Sequence, residues 1–393
     1  MFFDKKGKRG IKKESREQMQ KIPSDLKLSI VVSIFFLMVS CSSQQVQEVK
    51  TEIDINIPVN IPVIYNQKNP EPPPGVPSKI SLEEELCLRY EKGKKGHFPS
   101  GLGYAAVDDE GNIYVFDNKE KKVKVFDKNG QLVRTFGKFE KKMGFMQIVE
   151  GKTIMIYGWG AKRMYYYTKE GLYLKEISTE KYHRVLNPLI DSKGNIIAQC
   201  YSYKRRPRRG DSERTYVYGL LKMDPNFNPI MAIATFEYTL PELRISGIMF
   251  PWFTYKVRKD DSIVWGITSP NSDYELYIAD PEGKKIKKIM KEYDPEKITK
   301  EDKKGRPGYW PENFPPFRRI ACDNESEIYV QTYEKDKNGH FVCDVFDPEG
   351  RYIAKFSLPR DEKIFGIKKN YIYTLFDKRN GIPYVKRYRV IWK

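Results

Sequence analysis

The sequence predicts an all-β chain: a six-bladed β-propeller of four-stranded antiparallel blades, with the last blade closed by an N-terminal strand. Three observations carry this. From Tyr104 to Gly137, four short runs rich in Val, Ile, Phe and Tyr are divided by turn-forming residues. The same turn grammar recurs to the C-terminus. The final repeat stops one strand short, and a matching strand stands ahead of the first.

In the founding unit the predicted strands are Ala105 to Val107, Ile113 to Phe116, Val123 to Phe126 and Leu132 to Phe136. Asp109-Glu110-Gly111-Asn112 and Asp127-Lys128-Asn129-Gly130 supply the residues that accept positive φ in tight turns. Val123, Lys124 and Val125 alternate as expected of a half-buried strand. Such a meander exposes an apolar face and needs neighbours to stack on.

The first turn recurs at Glu150-Gly151-Lys152, Asp191 to Asn195, Asp260-Asp261-Ser262, Asp323 to Ser326 and Lys368-Lys369-Asn370. The second recurs at Lys169-Glu170-Gly171, Asp224-Pro225-Asn226, Asp280 to Gly283 and Asp347 to Gly350. These turns lie roughly 40 to 70 residues apart, against about 40 to 50 for a propeller blade, so the wider gaps mark loop insertions. A β-sandwich would not need to repeat this two-turn pattern. The sixth second turn is missing, because the chain ends after Tyr384 to Trp392. Leu86 to Tyr90 has the look of a fourth strand and is expected to close the ring against Tyr384 to Trp392, removing open sheet edges.

At this point the sequence resembles a known repeat family. The stretch EKGKKGHFPSGLGYAAVDDEGNIYVFDNKEKKVKVFDKNGQLVRTFG is similar to an NHL-type repeat, through Gly111-Asn112-Ile113-Tyr114-Val115 and the turn from Val125 to Gly130. The resemblance is good in blade one, fair around Cys322 to Phe356 and weak elsewhere. It implies a six-bladed propeller over about 300 residues and transfers no catalytic residue.

Ahead of the propeller, residues 1–40 read as a lipoprotein-type signal peptide. A basic leader precedes the apolar run Leu28 to Val39, which is too short for a typical membrane span and suited to a signal-peptide core. The ending Leu37-Met38-Val39-Ser40-Cys41 resembles a bacterial lipobox, which implies cleavage before Cys41 and its lipidation; the usual Leu is Met38 here. An uncleaved anchor is the alternative, Met19 is a second candidate start, and both readings place the propeller in the cell envelope outside the cytoplasm. The formal charge is +18, and residues 1–40 carry nine basic against four acidic residues, leaving about +13 on a mature chain. Residues 41–80 read as a tether. Pro58 and Pro62 demote Ile53 to Val63 to an edge strand or extended linker, and the five prolines from Pro70 to Pro77 favour a stiff polyproline spacer. The propeller is expected over 81–393.

Cys87, Cys200, Cys322 and Cys343 are expected as small buried hydrophobes. Cys322 and Cys343 fall on the first and third strands of one blade, near 10 Å apart and too far to bridge. Antiparallel alternation places Tyr201 to Thr215, Glu237 to Phe253, Tyr293 to Phe317 and Glu334 to His340 on one loop-rich face, where binding usually resides. Candidate ligand-binding residues there are the basic run Lys204, Arg205, Arg206, Arg208 and Arg209, whose guanidinium forks suit anions, and the aromatics Trp252, Tyr309 and Trp310.

The expected function is non-catalytic binding of an envelope protein, peptide or glycan, with a membrane partner through the lipid on Cys41 and no nucleic acid. Two alternatives stand beside it: docking on a polyanion through residues 204–209, and a metal-assisted propeller lyase or hydrolase in the central channel. The sequence holds three histidines, His97, His183 and His340, of which His183 and His340 could meet on the loop-rich face. It has no G-x-S-x-G elbow, phosphate loop or H-E-x-x-H pattern. Asp108, Asp191 and Asp323 recur in turn register, so no catalytic residue, metal ligand or cofactor is expected.

Overall fold

A computed structural model describes residues 61–90, 98, 101–158, 160–180, 185–204, 213–241, 251–270, 272–304, 310–377 and 381–393. Two strands, β1 (Val63–Asn66) and β2 (Ile80–Arg89), precede six sheets. Blade one is β3 (Leu102–Val107), β4 (Ile113–Asp117), β5 (Lys122–Phe126) and β6 (Leu132–Phe136). Blade two is β7 (Phe145–Val149), β8 (Thr153–Gly158), β9 (Arg163–Thr168) and β10 (Tyr173–Ser178). Blade three is β11 (Val185–Ile190), β12 (Ile196–Tyr203), β13 (Glu213–Met223) and β14 (Pro229–Pro241). Blade four is β15 (Trp252–Val257), β16 (Ile263–Thr268), β17 (Glu275–Ala279) and β18 (Lys285–Lys291). A short helix, α1 (Lys300–Lys303), precedes blade five: β19 (Phe317–Cys322), β20 (Ile328–Lys335), β21 (Phe341–Phe346) and β22 (Tyr352–Leu358). Blade six is β23 (Lys363–Lys368), β24 (Tyr371–Phe376) and β25 (Tyr384–Trp392).

All six blades are antiparallel meanders, and the innermost strands touch in sequence, β3 to β7 to β11 to β15 to β19 to β23 and back to β3. The chain is a six-bladed β-propeller. The expected turns fall between the first and second, and the third and fourth, strands of their blades. Closure occurs where the final blade lacked a strand. β2 pairs antiparallel with β25 from Ile80↔Trp392 to Arg89↔Tyr384, a longer strand than Leu86 to Tyr90.

Stacking buries both faces of most blades, and this corrects the half-buried reading of blade one. On β5 Lys124 is as deeply buried as Val123 and Val125, and its ammonium lies 3.0 Å from Asp117 and 2.8 Å from Glu120. A buried cation needs that pairing. Glutamines tie neighbouring blades at the inner strands. Gln147 donates to Ile190 O at 3.0 Å and accepts Ile190 N–H at 2.8 Å. Gln331 does the same between Glu362 O and Ile364 N. Each side-chain amide satisfies both polar groups of an inner-strand edge that no fifth strand covers.

The second turn of a blade packs on the outer strand of the blade before it. Gly171 has φ +92°, and a Cβ there would stand 2.6 Å from Phe136 of β6. Blade three has no glycine at this place, and Phe227 takes the left-handed conformation at φ +64° with its ring buried.

Residues 63–79, expected within the tether, are part of the propeller. β1 adds to blade four as a fifth strand, parallel to β18 from Val63↔Lys288 to Asn66↔Lys291. Beyond it Glu71 N–H donates to Tyr352 O at 2.9 Å, and Lys79 bridges to Lys355 of β22. The proline-rich stretch therefore lies along the rim of blade five instead of standing free. The rim supplies carbonyls and N–H groups that an isolated spacer would lack, so the segment docks as a strap over blades four, five and six.

The four cysteines among the described residues are free. Cys343 is buried, and Cys200 and Cys322 are half-buried, with β20 lying between Cys322 and Cys343. Cys87 departs from expectation: β2 is an outer strand, and its thiol is on the solvent side.

Candidate functional site

The two ends of the propeller differ in chemistry. One carries the short turns, closed by aspartates that accept backbone N–H groups. Asp108 takes Asn112 N–H at 2.8 Å and the Asn112 side-chain amide at 2.9 Å; Asp191 repeats this with Asn195 at 2.8 and 2.9 Å. Asp191 also pairs with buried Lys222 at 2.8 Å. Neighbouring turns are laced together, with Lys368 2.7 Å from Asp109 and Lys169 2.8 Å from Glu110. The recurring aspartates are therefore turn closures.

Blade five breaks the pattern. Asp323 accepts Glu325 and Glu327 N–H at 3.0 and 2.9 Å, but position 327 offers a carboxyl where the other turns offer an amide. Burial first, and then the Glu327 charge, push the Asp323 carboxyl up to about 7. Tyr329 donates toward both groups, 3.2 Å from Asp323 and 2.8 Å from Glu327.

The opposite end carries the long connections. The expected 201–215 insertion begins as a ribbon: β12 and β13 pair out to Tyr203↔Tyr216, and Lys204 N–H donates to Thr215 O at 2.9 Å. Its stem is a ladder of rings. Tyr203 and Tyr216 lie 4.9 Å apart, Tyr201 stacks on Tyr218 at 5.3 Å, and Tyr218 stacks on Phe236 at 4.9 Å. Lys204 stands at the ribbon's end with its ammonium 2.7 Å from Glu237. Arg205, Arg206, Arg208 and Arg209 lie outside the described residues.

Trp252 opens β15, half-buried, with its ring 6.0 Å from Tyr218. Trp310 packs on Ile298 and Phe314, and Phe314 stacks on Tyr333 at 4.5 Å. The connection from blade four to blade five is thus held down by its own aromatics, with α1 fixed by a Thr299–Asp302 capping box and by Arg360 donating to Asp302 at 2.7 Å. Tyr309, His97 and His183 lie outside the described residues. His340 closes a turn, its N–H donating to Asp336 at 2.9 Å.

Between the two ends runs the central channel. Four of its six walls are bulged: β3 between Leu102 and Ala105, β11 between Leu186 and Leu189, β19 between Phe317 and Arg319, and β23 between Ile364 and Gly366. Such bulges locally re-aim side chains. Arg319 is exposed although it lies on an innermost strand, and Lys256 of β15, Lys363 of β23 and Tyr104 of β3 are half-exposed. None of the three cations has an ion pair or hydrogen bond among the described residues. Burial pushes the Lys256 and Lys363 ammoniums down from their ordinary values, and the Arg319 charge adds to both depressions. Arg319 is itself lowered by burial, against a raising effect from Tyr104. Cys322, which faces Lys256, is pushed up to about 12 by burial and stays a neutral thiol. Among the described residues, Asp361 and Asp377 act on Lys363 with opposing charge.

Sequence reasoning missed Lys256, Arg319 and Lys363. The available signal was a charged residue within each of WFTYKV, FRRIAC and KIFGIK, strands that a propeller places innermost. Among the described residues no group of three His, Cys, Asp or Glu side chains could hold a metal. Also among them, no helix is long and apolar enough to cross a membrane.

Comparison with known proteins adds fold-level likeness only. No family model matches the sequence, and no curated protein matches it. Among solved structures, a Bacteroides fragilis protein classed as exported is 12% identical, covering 84% of this chain and 99% of its own at a TM-score of 0.49. A member of a domain-of-unknown-function family from Bacteroides vulgatus is 12% identical, over 80% of this chain and 99% of its own, with a TM-score of 0.46. Virginiamycin B lyase from Staphylococcus aureus is 11% identical, over 79% and 100%, with a TM-score of 0.44.

Proposed function

We propose that this chain is an exported envelope lipoprotein, anchored in a membrane through Cys41, whose propeller is a non-catalytic binding module. Its partner is an envelope protein, peptide or glycan taken on the loop-rich end. The asymmetry of the two ends supports this reading most directly. One end is closed by self-satisfied turns, and the other presents a stiff aromatic ribbon that ends at Lys204, beside a connection pinned to blade five. A rigid scaffold displaying long connections at one end is suited to binding. The unneutralised cations of the channel favour a partner with negative charge.

The test is retention of the full chain on a heparin-like resin and on immobilised acidic envelope glycan, across a salt series. Changing Lys204, Arg205, Arg206, Arg208 and Arg209 together to Ser should move elution to markedly lower salt, because exposed charges act through a screened field. A control at the turn end, Lys193→Ser, should leave elution in place. Equal elution of the two variants would remove the loop-rich end as the binding surface.

A further inference from the structure

The channel cations are a separate feature from the basic run, and the binding reading does not absorb them. Lys363 is the first residue of β23, Arg319 the third of β19 and Lys256 the fifth of β15. All six inner strands run from the loop-rich end to the turn end, because each is followed by a first turn. Arg319 and Lys363 lie near one level, because Gln331, the β20 partner of Arg319, bonds Glu362 O and Ile364 N on either side of Lys363; Lys256 lies two residues beyond Thr254, whose hydroxyl accepts Ile320 N–H. Three adjacent blades, four to six, supply them.

Three buried lysines elsewhere in this protein are ion-paired: Lys124 meets Asp117 at 3.0 Å, Lys222 meets Asp191 at 2.8 Å and Lys291 meets Asp344 at 3.1 Å. The channel trio has no such partner among the described residues. Lys256 faces a neutral thiol and another cation, Arg319 faces the Tyr104 hydroxyl and Arg318, and Lys363 faces two cations with Asp361 and Asp377. Arg318 is occupied by aromatic faces, its guanidinium 4.5 Å from the Phe341 ring centre. Cations gathered around one channel without a partner among the described residues repel one another, and a bound anion relieves that repulsion.

We infer that the channel is a binding site for a compact oxyanion of charge near −2, the phosphate of a phosphate monoester or free phosphate, held between the Arg319 fork and the ammoniums of Lys256 and Lys363. The planar guanidinium offers paired donors that match two oxygens of a tetrahedral anion, and the two lysines add point charges. The Tyr104 hydroxyl supplies a further donor on the opposite wall. A single carboxylate would leave most of the positive charge uncompensated. The ligand enters from the loop-rich end, so a monoester leaves its organic part toward that end.

The test uses the full chain at low salt, titrated calorimetrically with inorganic phosphate, glucose 6-phosphate and acetate, alongside thermal melts with each. Saturable binding of either phosphate with a raised melting temperature is expected, and acetate should bind at least tenfold more weakly. Glucose 6-phosphate tighter than inorganic phosphate would identify an ester as the ligand, and the reverse order free phosphate. Arg319→Met should weaken phosphate at least tenfold while its ligand-free melting temperature matches or exceeds wild type, since a repelling charge is gone. Arg319→Lys should fall between. Phosphate binding unchanged in Arg319→Met would overturn the site, as would no saturable binding up to 10 mM. Loss only when residues 204–209 are neutralised would place the anion on the ribbon and overturn it equally. That outcome would leave the binding function standing.

Discussion

Replacement of Asn66 tests whether the N-terminal strap belongs to the propeller. Its side-chain amide donates to Met290 O at 3.1 Å and to Gly350 O at 3.0 Å, and its oxygen accepts Tyr352 N–H at 2.7 Å. One residue thereby joins the outer strand of blade four to the second turn and outer strand of blade five. A net hydrogen bond contributes about 1 kcal/mol, and a partly buried group left unpaired costs somewhat more, so Asn66→Ala should lose about 3 kcal/mol. For an ordered domain of this size that corresponds to a fall of roughly 4–5 °C in melting temperature. Asn66→Asp is the sharper variant. It keeps an acceptor for Tyr352 but turns an oxygen toward two carbonyls that need a donor, so near pH 7 it should be less stable than Asn66→Ala. Toward pH 4 the gap should narrow as the carboxyl protonates. Melts at one fixed scan rate, with limited trypsin digestion reading strap release at Lys68 and Lys79, measure both effects. An Asp variant as stable as the Ala variant at pH 7, with the wild-type digestion pattern, would refute the reasoning.

Two further outcomes follow from packing and charge. Gly171→Ala forces a side chain into the left-handed region and against Phe136 at 2.6 Å, so it should lose about 2–4 kcal/mol and lower the denaturation midpoint of the whole ring. Asp323 holds its proton to about pH 7 in the folded chain, against an ordinary value of 3.8. The folded state then binds more protons between those values, so its contribution to stability falls as pH rises through that window and is fully lost above about 7. Asp323→Asn keeps the turn acceptor and removes the carboxyl that titrates. It should raise the melting temperature at pH 8, match wild type near pH 4 and flatten the profile between; parallel profiles for the two proteins would contradict the shared proton between Asp323 and Glu327.

Strand and turn placement was legible because its causes are local. Asp108 closes its turn through hydrogen bonds to Asn112 and Tyr114, and Asp191 does so with Asn195, all within six residues. Ring closure was legible because a missing strand leaves a countable gap, filled by β2 on β25. Tertiary structure decided what depends on partners distant in sequence. The strap was hidden because Asn66 finds its carbonyls 224 and 284 residues away, while its prolines read locally as a spacer. Lys124 alternates like a solvent-facing residue and is buried because a neighbouring blade covers its second face. Lys256, Arg319 and Lys363 are separate charges in the sequence. They come together because the inner strands of three adjacent blades run in the same direction around one axis.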